Sequence, residues 1–166
     1  DPAQIVYTEV IGDGAFGSVH KGMFNSMQVA VKKLKTHGLP PSYYQELCET
    51  FHTEASVLIR LRHKNIIHFF GAGYEETSDK SAGIPILVTE LATRGSLQSV
   101  LLNRGIEISP LLKMSFALDA AEGMQYLHSE GVVHRDLKSP NLLVADSMTV
   151  KVGCVCVCVC VCVCVC

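Results

Sequence analysis

A short polar loop, residues 134–141, constrains the fold of this chain more than any other part of the sequence. It follows a long apolar segment with helical periodicity and precedes a strand-like run, so it should connect a helix to a strand. Within a few residues it presents a carboxylate, an ammonium and a carboxamide, on Asp136, Lys138 and Asn141. A carboxylate can accept a proton from an attacking hydroxyl, an ammonium can neutralise a phosphate, and an amide oxygen suits Mg²⁺. The loop favours phosphoryl transfer, with an ordinary polar turn as the alternative.

Three glycines near the amino end, Gly12, Gly14 and Gly17, follow the pattern G-x-G-x-x-G. This pattern alone is weak evidence, because it opens a helix in dinucleotide-binding folds. Here a strand, a turn at residues 25–26 and a second strand follow instead. Glycines let a hairpin close over phosphates because no Cβ intervenes. The sequence predicts a phosphate-binding hairpin, with a flexible surface hairpin as the alternative.

The second strand of this hairpin carries two adjacent lysines. Because side chains alternate along a strand, Ala30 and Lys32 share one face, while Val29, Val31 and Lys33 share the other. Lys32 therefore lies beside the small side chain of Ala30. We expect Lys33, on the other face, to point into solvent.

The following segment predicts a helix from residue 42 to residue 61. Ser42 and Gln45 fit a capping box at its start. Apolar residues recur at helical spacing, at Tyr44, Leu47, Phe51, Ala55, Leu58 and Leu61. Glu54 lies on the same face, where an unpaired carboxylate would cost several kcal/mol. A cation such as Lys32 would be a suitable partner, whereas Glu46 and Glu49 are expected to be solvated.

Three further elements follow. Residues 65–72 and 84–90 predict two strands separated by a polar loop. Ser109 and Pro110 are a typical N-cap and first residue of a long helix, which Gly131 ends. The apolar residues of this helix, interpreted as core, are Leu111, Met114, Leu118, Ala121 and Met124. The chain should thus continue from a sheet into a helical region.

Taken together, these motifs resemble the catalytic domain of eukaryotic protein kinases. Residues 134–141 match H-R-D-L-x-x-x-N, and residues 29–32 resemble V-A-I-K. The Lys-Ser-Pro-Asn sequence of the loop resembles serine/threonine kinases of the tyrosine-kinase-like group. The resemblance covers residues 5–153 and implies an α+β, two-lobed fold. It has a complete small lobe, an antiparallel sheet plus one helix, and an incomplete helical large lobe.

The resemblance also implies boundaries and roles. The small lobe would span residues 1–89, the hinge 90–95 and the start of the large lobe 96–153, followed by a tail of residues 154–166. The implied catalytic residues are Asp136, Lys138, Asn141, Lys32 and Glu54, with Asn141 as a metal ligand. The implied ATP-binding residues are Ile11, Gly12, Gly14, Gly17, Val19, Ala30, Lys32, Thr89 (the gatekeeper), Glu90 and Ala92 (in the hinge), and Leu143. The intact relative would transfer the γ-phosphate of ATP, with Mg²⁺, to protein Ser or Thr.

The sequence departs from the kinase pattern after Gly153. Where a kinase should present Asp-Phe-Gly, this chain presents Cys154 and then a strict Cys-Val alternation to Cys166. A thiol is a soft ligand that suits Mg²⁺ poorly, so we expect the chain as written to be inactive. Two interpretations of the tail remain open: it is the translation of a TG dinucleotide repeat, or it binds a metal ion through clustered thiolates. The alternatives to a fragment of an active kinase are a pseudokinase interaction module and a Cys-rich metal-binding tail on a kinase remnant.

Composition narrows the class of partner. Lys plus Arg total 14 against 16 Asp plus Glu, a formal charge of -2, which argues against nucleic-acid or membrane partners. Outside the tail the only cysteine is Cys48, so a reducing, cytoplasmic location is expected. The first residue is Asp1, so we expect a chain shortened at its amino end as well. His134 is interpreted as a packed histidine, not a base, and the other histidines lack metal-ligand spacing.

Overall fold

The computed structural model describes residues 4–14, 17–76 and 83–153, which form two units. The first unit comprises the described residues up to 60 together with residues 69–91. The second comprises residues 61–68 and 92–153. The Cys-Val tail, on which both interpretations of the tail depend, lies outside the described residues.

The first unit is built on a five-stranded antiparallel sheet. Its strands are β1 (Val6–Gly14), β2 (Gly17–Phe24), β3 (Met27–Leu34), β4 (Phe69–Glu75) and β5 (Ile84–Glu90), in the order β1-β2-β3-β5-β4. Asn25 and Ser26 join β2 to β3, and both have positive φ, 48° and 63°. This is the two-residue turn whose twist suits a hairpin. The strand predicted for residues 65–72 begins later, at Phe69.

One helix, α1 (Pro41–Leu58), packs against this sheet. Its apolar stripe is as predicted: Leu47 and Phe51 are buried and form a cluster with Leu34, Phe69 and Leu87. The predicted capping box is wrong. Pro40 occupies the N-cap without a side-chain cap, so Ser42 already lies inside the first turn. Pro41 starts the helix because its φ is fixed and it has no N–H to leave unpaired.

The other face of the sheet has its own cluster, of Ile5, Val29, Val31, Ile86 and Val88. The predicted alternation along β3 is therefore correct, but the prediction of a solvated Lys33 is wrong. Lys33 Nζ lies 2.6 Å from Glu75 Oε2 and 3.8 Å from the centre of the Tyr7 ring. Burial, and then the charge of Glu75, raise the pKa of Tyr7 to about 12. Strands far apart in sequence thus supply partners that alternation cannot reveal.

The second unit contains α2 (Leu97–Leu102), α3 (Pro110–Ser129), β6 (Leu142–Val144) and β7 (Val150–Val152), with a short 3-10 helix at Ser139–Asn141. The start of α3 is confirmed, because Ser109 Oγ accepts a hydrogen bond from Leu112 N at 3.2 Å. Helix α2 was not predicted. Ser96 caps it by accepting from Ser99 N at 3.1 Å.

The predicted core face of α3 is wrong. Phe116, Gly123 and Leu127 are buried, whereas Leu111, Met114 and Leu118 are 78%, 68% and 60% exposed. Apolar residues surround much of this helix, so periodicity alone could not select the buried face.

At Gly123, α3 packs closely against Asn65 and Val152. A Cβ built there would lie 2.5 Å from Asn65 O and 2.8 Å from Val152 Cγ2. We expect Gly123→Ala to lower the free energy of unfolding by about 1–3 kcal/mol, even though alanine favours helix. Urea unfolding measures this. Gly71→Ala is the control, since a Cβ at Gly71 meets nothing within 4 Å. A more stable Gly123→Ala variant would contradict the packing described.

The described residues contain neither a membrane-spanning helix nor a cluster of metal-binding side chains. No helix there combines the length and apolarity needed to cross a bilayer. In the same residues, no group of three or more His, Cys, Asp or Glu side chains is arranged to hold a metal ion.

Candidate active site

The polar loop of the second unit begins with a buried histidine. His134 is 6% exposed, and its Nε2 lies 3.2 Å from Gly153 O. Burial lowers the pKa of His134, against smaller opposing effects of Gly153 and Asp136. The ring is therefore a neutral packing element, as expected. Arg135 follows with φ 61°, and Asp136 N donates to His134 O at 2.9 Å. This is a tight three-residue turn of a kind that is strained and rare.

Three functional groups converge within this loop. Lys138 Nζ lies 2.7 Å from Asp136 Oδ2, and Asn141 Nδ2 donates to the same oxygen at 2.9 Å. Asn141 Nδ2 also donates to Asp136 O at 2.7 Å, which fixes the amide relative to the loop backbone. The hydrogen bond from Lys138 is the largest of several causes that lower the pKa of Asp136. Asp136 is therefore ionised at neutral pH, and none of these bonds uses its Oδ1.

The loop is tied to the strands that follow it. Asn141 N donates to Lys138 O, and Gly153 N donates to Asn141 O, each at 2.9 Å. Leu143 pairs with Lys151 and also forms a bridge with Ser96. Ala92 accepts a hydrogen bond from Gly95 N at 3.0 Å in a turn of the same unit. The second unit thus contains Asp136, Lys138, Asn141, Leu143 and Ala92.

The glycine hairpin belongs to the first unit. Gly14 pairs with Gly17 across β1 and β2, and residues 15 and 16 lie outside the described residues. A Cβ on Gly17 would lie 2.1 Å from Lys33 O, so close packing against β3 requires glycine there. A Cβ on Gly12 would make only an ordinary contact with Val19, 3.7 Å away. Lys35 Nζ donates to Gly14 O at 2.7 Å and steadies the tip of the hairpin.

The strand register brings most of the other predicted nucleotide residues together. Lys32 on β3 lies opposite Val19 on β2 and Leu87 on β5. Ala30 pairs with Thr89, and Thr89 Oγ1 lies 3.5 Å from Ala30 O. Two more predicted residues lie on the same sheet: Ile11 on β1, 48% exposed, and Glu90 at the end of β5.

The charge of Lys32 acts on Glu54, but the two side chains do not form the predicted ion pair. Among the ion pairs of the described residues, none joins Lys32 to Glu54. Burial raises the pKa of Glu54 to about 7, although the charge of Lys32 acts in the opposite direction. The carboxyl group is therefore partly protonated near neutral pH.

This raised pKa predicts a dependence of stability on pH. Between the ordinary pKa of 4.5 and about 7, the unfolded chain loses the Glu54 proton while the folded chain keeps it. Stability should fall as the pH rises through this window, by about 1–2 kcal/mol after allowing for the partial exposure of Glu54. Urea unfolding from pH 4 to 8 measures the difference between the natural chain and Glu54→Gln. Parallel curves for the two proteins would contradict the pKa.

Comparison with known proteins decides the family. The profile described as protein tyrosine and serine/threonine kinase matches residues 5–159. The chain belongs to this family. Serine/threonine-protein kinase CTR1 of Arabidopsis thaliana is 41% identical over 148 residues, covering 87% of this chain and 17% of the relative. Probable serine/threonine-protein kinase drkD of Dictyostelium discoideum is 41% identical over 144 residues, covering 86% and 10%. The chain therefore spans only about a tenth to a fifth of the length of these relatives.

Protein kinases of this family use ATP and a divalent metal ion. The residues present suit ATP well, but they suit the metal ion only in part. For the nucleotide, the sheet leaves space. Even a Cβ on Gly14 would meet only Gly17 O, 3.9 Å away, and the side chain of Ala30 is small. On the metal side, Asn141 commits its Nδ2 to Asp136 and leaves Oδ1 as one hard oxygen donor. The next donor expected in a kinase falls at Cys154, whose placement lies outside the described residues. The described part of the chain thus offers an incomplete magnesium site.

The sequence interpretation missed two residues of the kinase domain that bond to β7. Asn65 is fully buried, and its Nδ2 donates to Val150 O at 2.9 Å. Asp119 Oδ2 accepts from Val150 N at 2.8 Å. A polar residue beside the apolar pair Ile66 and Ile67 was the available signal for Asn65. For Asp119 the sequence offers no comparable signal.

Proposed function

We propose that this chain is part of an ATP-dependent serine/threonine protein kinase. The observation that carries the proposal is the convergence of Lys138 and Asn141 on the ionised carboxylate of Asp136. The names of the relatives, which are serine/threonine-protein kinases, support the choice of substrate hydroxyl. A protein substrate and ATP are the proposed partners. The single cysteine before the tail supports a cytoplasmic location.

Each residue of the loop has a distinct proposed role. Asp136 accepts the proton of the substrate hydroxyl, and its Oδ1, which the bonds to Lys138 and Asn141 do not use, is available for that contact. Lys138 neutralises charge on the phosphate being transferred. Asn141 holds Asp136 through its Nδ2 and offers Oδ1 to Mg²⁺, the charge-neutralising ion of this chemistry. Hydrogen bonds of Gly153 to His134 and Asn141 hold the loop in place. The loop therefore needs little reorganisation during the reaction.

In the first unit, Lys32 is the proposed ligand of the ATP phosphates. Ala30 and Val19 would enclose the adenine, and Thr89 would lie behind it. Glu54 is the proposed partner of Lys32 once nucleotide is bound. Its raised pKa supports this role, because a positive charge brought into contact would lower the pKa and ionise the carboxyl group.

ATP binding tests the assignment of Lys32. Lys32→Met should weaken the binding of ATP to this chain by at least about tenfold, since a charged contact to phosphate is lost. Lys33→Met is the matched control, one residue away on the opposite face. It should lower stability through loss of the Glu75 ion pair but leave the ATP dissociation constant within about twofold. Isothermal titration calorimetry measures both, and the reverse pattern would contradict the assignment.

Transfer activity tests the function itself. A suitable protein is a chimera in which residues 1–153 continue into Asp-Phe-Gly and the remainder of the CTR1 kinase domain. It should incorporate the γ-phosphate of ATP into a general protein substrate such as myelin basic protein. No incorporation by a folded chimera that binds ATP would contradict the proposed function.

A further inference from the structure

Strand β7 is bonded along both of its edges. On the edge that faces β6, Gly153 N donates to Asn141 O at 2.9 Å, and Ala145 N donates to Thr149 O at 3.0 Å. Hydrogen-bonding direction alternates along an antiparallel strand. The main-chain groups of Val150 and Val152 therefore point to the opposite edge, away from β6.

Both of these residues are fully buried, so their four main-chain groups need partners there. Val150 N donates to Asp119 Oδ2 at 2.8 Å, and Asn65 Nδ2 donates to Val150 O at 2.9 Å. Val152 N donates to Asn65 O at 2.8 Å, and Ile67 N donates to Val152 O at 3.0 Å. All four groups are paired, although the described part of the chain places no third strand in the β6–β7 sheet. Two side chains, of Asn65 and Asp119, complete what a strand would otherwise supply.

Asn65 is an unfavourable residue for this position unless its donor is needed. It is 0% exposed, and its Oδ1 has no hydrogen-bond partner among the described residues. A buried acceptor without a partner lowers stability. The neighbouring helix must also omit a Cβ, at Gly123, to leave room for Asn65 O. The compensating contact of the side chain is its bond to Val150 O.

The edge of β7 that faces β6 leads directly to the catalytic loop. Gly153 N holds Asn141 O, and Gly153 O accepts from the buried ring of His134. Asn141 in turn holds Asp136 through two hydrogen bonds. We propose that Asn65 and Asp119 are positioning residues of the kinase reaction. They fix the edge of β7 that faces away from β6, and so set the position of Gly153. Through Gly153 they set the positions of Asn141 and Asp136. The catalytic part of this inference rests on the proposed function.

Hydrogen exchange of the Gly153 amide, followed by NMR on this chain, tests the inference without requiring activity. Gly153 touches neither Asn65 nor Asp119 through its own hydrogen bond, so it reports on the position of β7. Asn65→Leu removes the donor at similar volume, and Asp119→Leu removes the acceptor. Each should speed Gly153 exchange by about 10- to 100-fold. Asp119→Asn keeps an acceptor oxygen and should restore exchange to within about threefold of the natural chain.

A general loss of stability of the second unit must be distinguished from a local displacement of β7. Val100→Ala, a cavity variant in α2 of the same unit, should speed exchange at Gly153 and at Phe116 in α3 by similar factors. In the Asn65 and Asp119 variants, Gly153 should change at least about fivefold more than Phe116. Equal changes at both amides would overturn the inference. If Asn65→Leu does not fold by circular dichroism, the Asp119→Leu and Asp119→Asn pair decides alone.

The catalytic consequence is measured separately in the chimera. Asn65→Leu should lower kcat by about tenfold or more while the KM for ATP stays within about twofold, because the nucleotide residues on the sheet are not altered. An unchanged kcat with accelerated Gly153 exchange would overturn the catalytic role of Asn65. An inactive parent chimera would contradict the proposed function and leave the exchange result to decide the positioning of β7.

Discussion

Asp136→Asn is expected to lower kcat of the chimera by about 10²- to 10⁴-fold, with little change in the KM for ATP. The substitution removes the charge that accepts the hydroxyl proton. It preserves the loop, because an asparagine oxygen can still accept from Asn141 Nδ2, and the bond from Asn141 to the backbone of residue 136 is untouched. The loss should therefore reflect chemistry and not folding.

Asp146→Asn is the matched control for this experiment. Asp146 lies in the turn after β6 and accepts a hydrogen bond from Thr93 at 2.5 Å, outside the catalytic loop. We expect its kcat to stay within about twofold of the parent. Steady-state kinetics with varied ATP gives both parameters. An Asp136→Asn chimera that keeps more than a tenth of the parent kcat would contradict the role of Asp136 as proton acceptor.

The residue after Gly153 should have the second largest effect. A second chimera that keeps Cys154 in place of the aspartate should lose at least about 10²- to 10³-fold in transfer rate, because charge neutralisation at the transferring phosphate weakens. A thiol is a soft ligand and replaces a hard carboxylate beside Asn141, which by itself offers one neutral oxygen. The natural chain, which also has Cys154, should show no appreciable transfer.

The parent chimera, with aspartate after Gly153, and the chimera that keeps Cys154 should be compared across Mg²⁺ concentrations. The parent should saturate with Mg²⁺, whereas raising Mg²⁺ should not restore the chimera with the cysteine. Equal rates for the two would contradict the assignment of this position as a metal ligand. ATP-dependent transfer by the natural chain, abolished by Lys32→Met, would contradict the expected inactivity.

The elements that sequence predicted well are those decided within a few residues. Asn25 and Ser26, adjacent in sequence, form a turn at positive φ, which asparagine adopts readily, and Ser109 caps a helix through a bond three residues away. The convergence of side chains in the loop of residues 134–141 is of the same kind. Asp136, Lys138 and Asn141 are near neighbours in sequence, so their convergence depends on a short stretch of backbone.

The features that sequence could not predict depend on contacts between distant segments. Lys33 is paired because Glu75 arrives from β4, 42 residues later. Asn65 meets Val150 across 85 residues. The buried face of α3 depends on which neighbours cover it, and a helix that is apolar around much of its surface does not indicate this. The prediction that Ser42 caps α1 was also wrong. The preceding pair Pro40 and Pro41 starts the helix without a capping side chain.

Phosphoamino-acid analysis of the chimera's product tests the central claim most directly. The claim is that the Asp136, Lys138 and Asn141 loop of this chain transfers the γ-phosphate of ATP to serine or threonine hydroxyls. With labelled ATP and a protein substrate, we expect phosphoserine and phosphothreonine, and neither above background with Asp136→Asn. Phosphotyrosine as the dominant product, or labelled product in equal amount from the Asp136→Asn chimera, would contradict it.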